Sequence, residues 1–150
     1  MNILEKICYE KKKSVDENKS LKSIDFFLKT SKKKEIRNFM TSIKKNTKKF
    51  NIITEIKRKS PSAGLIKKNF DLTKIAYDYE KAGASCLSIL TEEKYFGGHL
   101  NFITQAKGKV SIPILRKDFI IDEWQIYESY HRGADCILLI VAILNDSNLK

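Results

Sequence analysis

Apolar positions in the first fifty residues recur at helical spacing. Ile3, Leu4, Ile7 and Cys8 share one face of the segment 3–15 and lysines occupy the other, which predicts an amphipathic helix. Ile36, Phe39, Met40 and Ile43 repeat the i, i+3, i+4, i+7 pattern over 34–46, with Ser31 as the expected cap and Glu35 in the first turn. Phe26, Phe27 and Leu28 form an apolar patch between the two helices. This first third carries no strand signal.

From residue 51 the period changes. A short β-branched run over 51–56 predicts a strand, followed by a loop at Ser60, Pro61, Ser62, Ala63 and Gly64. Asp71 or Thr73 starts a helix with Leu72, Ile75, Ala76 and Tyr79 on its apolar face, and Gly83 ends it. Strands are predicted at 86–90, 112–115 and 136–144. Helices fall between them, through Leu100, Phe102, Ile103 and Ala106, and through Trp124, Ile126, Tyr127 and Tyr130 to Gly133. Asn145, Asp146 and Ser147 are good cap residues for one more helix. Continuously apolar strands alternating with helices indicate a parallel sheet covered by helices. AGASCLSIL at 82–90 is echoed by RGADCILLI at 132–140, two βα units later. Repetition over two units favours a (β/α) barrel over a doubly wound sheet. The expected organisation is a helical extension over residues 1–50 and a barrel portion over 51–150.

Composition narrows the partners. Of the 150 residues 42% are hydrophobic, enough for a real core, and the net charge is +11. Residues 1–50 hold 15 Lys/Arg against 6 Asp/Glu and residues 51–150 hold 14 against 12, so the excess sits in the first third. Only four of the basic residues are arginine (Arg37, Arg58, Arg116 and Arg132), whereas base-reading surfaces favour arginine forks. Solvated lysine faces are therefore expected, not a nucleic-acid surface, with attraction of a small anionic substrate as a further use of the charge. No apolar run approaches the roughly 20 residues of a membrane span. Glu5, Lys6 and Glu10 interrupt any leader-like apolar core, so a cytoplasmic protein with no membrane partner is expected. Cys8, Cys86 and Cys136 are far apart and only two histidines are present, which predicts neither a disulfide framework nor a metal site.

In parallel barrels function gathers at the C-terminal ends of the strands. Alternation along the first strand sends Glu55 and Lys57 to one side while Ile56 faces the other. A charge pair pointing into the barrel mouth is costly unless it is used; the plainer alternative is a salt bridge on a surface strand. Lys117, at the tip of the third strand, is placed to act as a general acid with Asp118 orienting it, or else belongs to an ordinary charged turn. The segment 91–98 (TEEKYFGG) combines charge, aromatics and a glycine pair, as a mobile loop over a site would, though a plain polar connection has the same composition. No P-loop, G-x-G-x-x-G, H-E-x-x-H or nucleophile elbow occurs. Carboxylates and lysines suit proton transfer and anion binding with neither metal nor cofactor.

Four segments together resemble the indole-3-glycerol phosphate synthase family. TEIKRKSPSAG at 54–64 is similar to that family's first strand and loop, and LSILTEEKYFGG, IPILRKDFIID and GADCILLIVAIL are similar to its second, third and fourth. The opening ILEKICYEKKKSV resembles its helical extension. The resemblance implies a (β/α)8 TIM barrel, of which the extension and about the first four βα units are present. It implies closure of the pyrrole ring of 1-(2-carboxyphenylamino)-1-deoxyribulose 5-phosphate with loss of carbon dioxide and water, in tryptophan biosynthesis. By that resemblance Lys117 is the general acid, Lys57 contacts the anionic substrate and assists dehydration, and Glu55 positions the substrate's amine and hydroxyls. Ser60 matches a serine near the substrate carboxylate, and Phe96 and Phe119 match aromatics lining the anthranilate pocket. A complete barrel has eight units and usually about 250 residues. The chain is therefore expected to be a truncated product or a fragment, with open sheet edges through which it self-associates. A non-catalytic half-barrel that works only by pairing with a complementary half is the alternative.

Overall fold

The computed structural model describes residues 2–31, 35–44 and 50–149. Helix α1 (Ile3–Leu21) begins at a capping box: the Asn2 side chain accepts from the Glu5 backbone N–H and Glu5 returns the bond, both at 2.9 Å. The helix runs past the predicted end at residue 15 and buries Ile7 and Val15, while Ile3 stays exposed. Helix α2 (Ile24–Thr30) is capped by Ser23. Ser31 closes α2; it does not open the next helix. The helix predicted over 34–46 is shorter, α3 (Phe39–Lys44), with Ile36 and Met40 exposed; positions 34, 45 and 46 lie outside the described residues. Arg37 accounts for the lost turn. Its backbone N–H donates to Asp135 Oδ1 at 2.7 Å, and its guanidinium donates to the Ile112 and Lys107 carbonyls at 3.1 Å each, so the chain here follows the barrel instead of coiling.

The remainder alternates. Strand β1 (Ile53–Ile56) leads into a small antiparallel hairpin, β2 (Lys59–Ser60) and β3 (Gly64–Leu65), where a loop was expected. Then follow α4 (Leu72–Lys81), β4 (Cys86–Leu90), α5 (Asn101–Lys107), β5 (Ile114–Lys117), α6 (Trp124–Arg132), β6 (Cys136–Ile137), a 3-10 turn (Val141–Ile143) and α7 (Asp146–Leu149). Asp71 caps α4 as expected, accepting from the Lys74 N–H at 3.0 Å. The four main strands are all parallel, in the order β1-β4-β5-β6. Each strand therefore lies beside its predecessor, without the reversal of order that marks a doubly wound sheet. The sequence echo is visible here: Gly83 and Gly133 both adopt positive φ, 93° and 96°, at the end of a helix just before a parallel strand.

Strand β6 is much shorter than the expected 136–144. Among the described residues no strand pairs with its outer edge, and after Leu138, whose N–H reaches the Arg116 carbonyl at 3.4 Å, the chain turns away with Leu139 and Val141 exposed.

The core lies between the sheet and α4–α5, where Ile56, Leu87, Ile89, Ile103 and Ile114 are at most 2% exposed. Burying each such side chain is worth about 1.5–3 kcal/mol. A second cluster joins Val15 of α1 and Phe27 of α2 to Trp124 of α6, whose indole N–H donates to the Lys22 carbonyl at 2.6 Å. No described helix is long and apolar enough to cross a membrane.

Candidate active site

Burial of Ile56 in the core fixes the face of β1 that looks inward. Alternation then aims Glu55 and Lys57 together at the C-terminal mouth of the sheet. Register places Ser88 opposite Glu55 and Leu90 opposite Lys117, so β4 separates the two charged strands. The long lysine side chain crosses that gap. Lys117 Nζ donates to Glu55 Oε2, while Lys57 Nζ donates to Oε1 at 2.8 Å. One carboxylate thus joins two ammonium groups, all three side chains being 30–40% exposed. The trio carries a net positive charge that an anion can neutralise. Burial pushes the Glu55 carboxyl up, but the hydrogen bonds and charges of Lys117 and Lys57 outweigh it and hold the group below its ordinary range.

Apolar surface adjoins the charges. The Phe96 and Phe119 rings lie 6.2 Å apart and tilted by 39°. With Leu90, Leu138 and Ile140 they line, beside Glu55, Lys57 and Lys117, a cavity of about 70 Å³. That is well below the roughly 300–1,000 Å³ of a typical ligand pocket. Its β6 side is the open edge of the sheet. The arrangement offers a small, mainly apolar slot lined also by two lysine ammonium groups and one carboxylate. Five of the six expected site residues therefore converge. Ser60 does not: it sits in the hairpin, where its Oγ accepts from the Ala63 N–H at 3.1 Å, and it does not line the cavity.

Asp118 was expected to orient Lys117, yet alternation turns it to the other side. It is almost fully buried, and its carboxylate accepts from Thr91 Oγ1 at 2.7 Å, Arg116 at 3.0 Å, Lys11 Nζ at 2.7 Å and its neighbour Phe119 N–H at 2.8 Å. Arg116 is equally buried and also donates to Glu128 at 2.9 Å and Ser129 Oγ at 3.0 Å. Burial raises the Asp118 pKa, but Arg116, Lys11 and the hydrogen bonds more than reverse this and hold it low.

The segment 91–98 is likewise no free flap. The Glu92 carboxylate accepts from the Lys94, Tyr95 and Phe96 N–H groups at 2.7–3.1 Å, and the Lys59 N–H donates to the Phe96 carbonyl at 3.2 Å. A Cβ on Gly98 would lie 2.4 Å from the Leu90 carbonyl oxygen, so only glycine fits.

Sequence reasoning missed Lys11, Glu10 and the Arg116 network. One signal was legible: Arg116 falls on the helix-facing side of a strand, where an apolar residue is the rule. Lys11 gave none, being one of three consecutive lysines. Among the described residues no group of three or more His, Cys, Asp or Glu is placed to hold a metal ion.

The family model described as indole-3-glycerol phosphate synthase matches residues 4–150. The chain is 49% identical over 148 residues to the indole-3-glycerol phosphate synthase of Legionella pneumophila (strain Lens), covering 99% of this chain and 57% of that protein. It is 46% identical over 144 residues to the protein of that name from Thermoanaerobacter pseudethanolicus, covering 96% and 55%. With that of Zymomonas mobilis subsp. pomaceae the identity is 41% over 152 residues, covering 99% and 58%. The chain thus spans a little over half the length of these curated relatives.

Proposed function

The chain belongs to the indole-3-glycerol phosphate synthase family, a family of TIM barrels, and from that premise we propose that its lysine–glutamate trio takes part in indole ring closure. Residues 1–50 then form a helical extension and 51–150 the first four βα units. The activity is proposed for this chain together with a segment corresponding to the rest of its relatives. The substrate is the phosphorylated, carboxylated 1-(2-carboxyphenylamino)-1-deoxyribulose 5-phosphate, and the setting is the cytoplasm.

The observation that carries this reading is the pairing of Lys117 and Lys57 through Glu55 beside the two phenyl rings. The anthranilate ring packs against Phe96 and Phe119. Lys117 gives its proton to the substrate carbonyl oxygen as the carboxylate-bearing ring carbon attacks the carbonyl carbon. The new C–C bond forms while the carbonyl π pair becomes the O–H. The carboxylate then leaves as carbon dioxide, and its electron pair restores the aromatic ring. Lys57 gives a proton to the hydroxyl, which departs as water with the C–O pair, and a proton passes back to Lys57 from the neighbouring carbon, whose C–H pair becomes the double bond that completes the pyrrole. Glu55 holds the substrate's amine and hydroxyls, and the family resemblance assigns Ser60 to the neighbourhood of the substrate carboxylate. Cations at the mouth favour the charge that develops during these steps.

Ring closure is followed by the appearance of indole fluorescence, with the chain alone and with a C-terminal complement. Activity is expected with the complement, and Lys117→Ala should lower it by about 10²–10⁴-fold. Unchanged turnover by Lys117→Ala would remove the assignment. Among the described residues no strand pairs with the outer edges of β1 and β6, and Ile53, Leu139 and Val141 are exposed, which favours a second property, self-association. Sedimentation that stays monomeric at high concentration excludes it.

A further inference from the structure

Two adjacent side chains of α1 reach two different loops of the barrel. Glu10 accepts from Lys94 Nζ at 2.7 Å and from the Tyr95 hydroxyl at 3.1 Å. Lys11 donates to Asp118 at 2.7 Å. Tyr95 immediately precedes Phe96, and Asp118 immediately precedes Phe119. One helix therefore holds the residue before each of the two rings that bound the apolar slot. The helix is itself fixed, by its capping box at one end and by Val15 packed with Phe27 and Trp124. Glu10 and Lys11 are opposite in charge, and each meets a partner of the opposite sign, so neither contact can exchange with the other.

We propose that α1 is a clamp on the slot: Glu10 and Lys11 are positioning residues that set the spacing and tilt of Phe96 and Phe119. That an anthranilate ring fills the slot rests on the function proposed above; the clamp itself does not. The two halves are unequal. Lys11 meets a carboxylate that is almost fully buried, in a network that also binds the Phe119 N–H, so its loss is felt directly at that ring. Glu10 lies nearer the surface, and the Phe96 carbonyl keeps its bond from Lys59 when Glu10 is replaced. Glu10→Gln therefore loosens one wall and Lys11→Met displaces the other.

The chain is labelled with 4-fluorophenylalanine at its 8 phenylalanines, and the resonances are assigned by Phe→Leu variants. Lys11→Met should shift and broaden the Phe119 signal and Glu10→Gln the Phe96 signal, with Phe70 and Phe102, paired elsewhere, unmoved. Lys11→Arg should restore Phe119. Binding of anthranilate, read from its own fluorescence, should weaken about tenfold in the Lys11→Met chain and recover in Lys11→Arg. Variants that melt earlier while both ring signals stay in place overturn the clamp, because a purely structural helix would behave so. Failure of the unaltered chain to bind anthranilate even with its C-terminal complement instead overturns the reading of the slot, and the ring signals still decide the clamp.

Discussion

Replacing Asp118 by Asn tests whether the buried network, and not the apolar core alone, holds the tip of β5. Asp118 and Arg116 are 1% and 5% exposed at the side chain and 3.0 Å apart. Removing one partner of such a pair costs about 3–5 kcal/mol, because the other charge is left buried without compensation. Arg116 keeps Glu128 at 2.9 Å and Ser129 at 3.0 Å, so the low end, about 3 kcal/mol, is expected. With a slope of about 2 kcal/mol per molar, the urea midpoint falls by about 1.5 M. Removing an exposed pair by Lys12→Ala, against Asp16, should change stability by less than about 0.5 kcal/mol. The sign with pH follows from the depressed Asp118 pKa. Its contribution is present above the unfolded carboxylate value of about 3.9, and is lost as pH falls from there through the folded value. The gap between the unaltered chain and Asp118→Asn should therefore be flat from pH 7 to 5 and shrink below pH 4. Equal midpoints at pH 7, or a gap that widens on acidification, would refute the reasoning.

Other outcomes follow from particular contacts. Gly98→Ala forces a Cβ against the Leu90 carbonyl and should displace the loop carrying Phe96, seen as new amide chemical shifts confined to 91–98 and to neighbouring Lys59; an unchanged spectrum contradicts the packing. Burial raises the thiol of Cys86 to about 11 and that of Cys136 to about 12. In a thiol-reagent assay at pH 8 both should react far more slowly in the folded chain than in urea. Equal rates in the two conditions would mean that these strands open readily.

The barrel pattern and the mouth of the site were legible because both depend on local rules. The four parallel strands follow from apolar runs spaced by helices, and the inward aim of Glu55 and Lys57 follows from the period of two. The tip of β5 was only half legible. Lys117 was recognisable as a strand-end cation, but one partner of Asp118 was not, since a lysine more than a hundred positions earlier supplies it. Strand β6 and helix α3 were overpredicted for the same physical reason: period describes a side chain's preference for burial, whereas pairing and distant hydrogen bonds decide what the backbone does. The 51–150 segment resembled a known barrel closely enough to bring Phe96 and Phe119 together on paper. Nothing local to Ser60 indicated that its hydroxyl would be turned into a tight hairpin.

Arg37 and Lys11 tie the first fifty residues to opposite ends of the sheet. Arg37 binds Asp135, which precedes β6, and Lys11 binds Asp118, which follows β5. The helices between them therefore straddle the length of the strands as a bracket does. Amides of α1 and α2 should not fray independently in hydrogen exchange but open together with β5 and α6, as one cooperative unit. Proteases that cut only opened segments would then release the amino-terminal helices and β5 at a common rate.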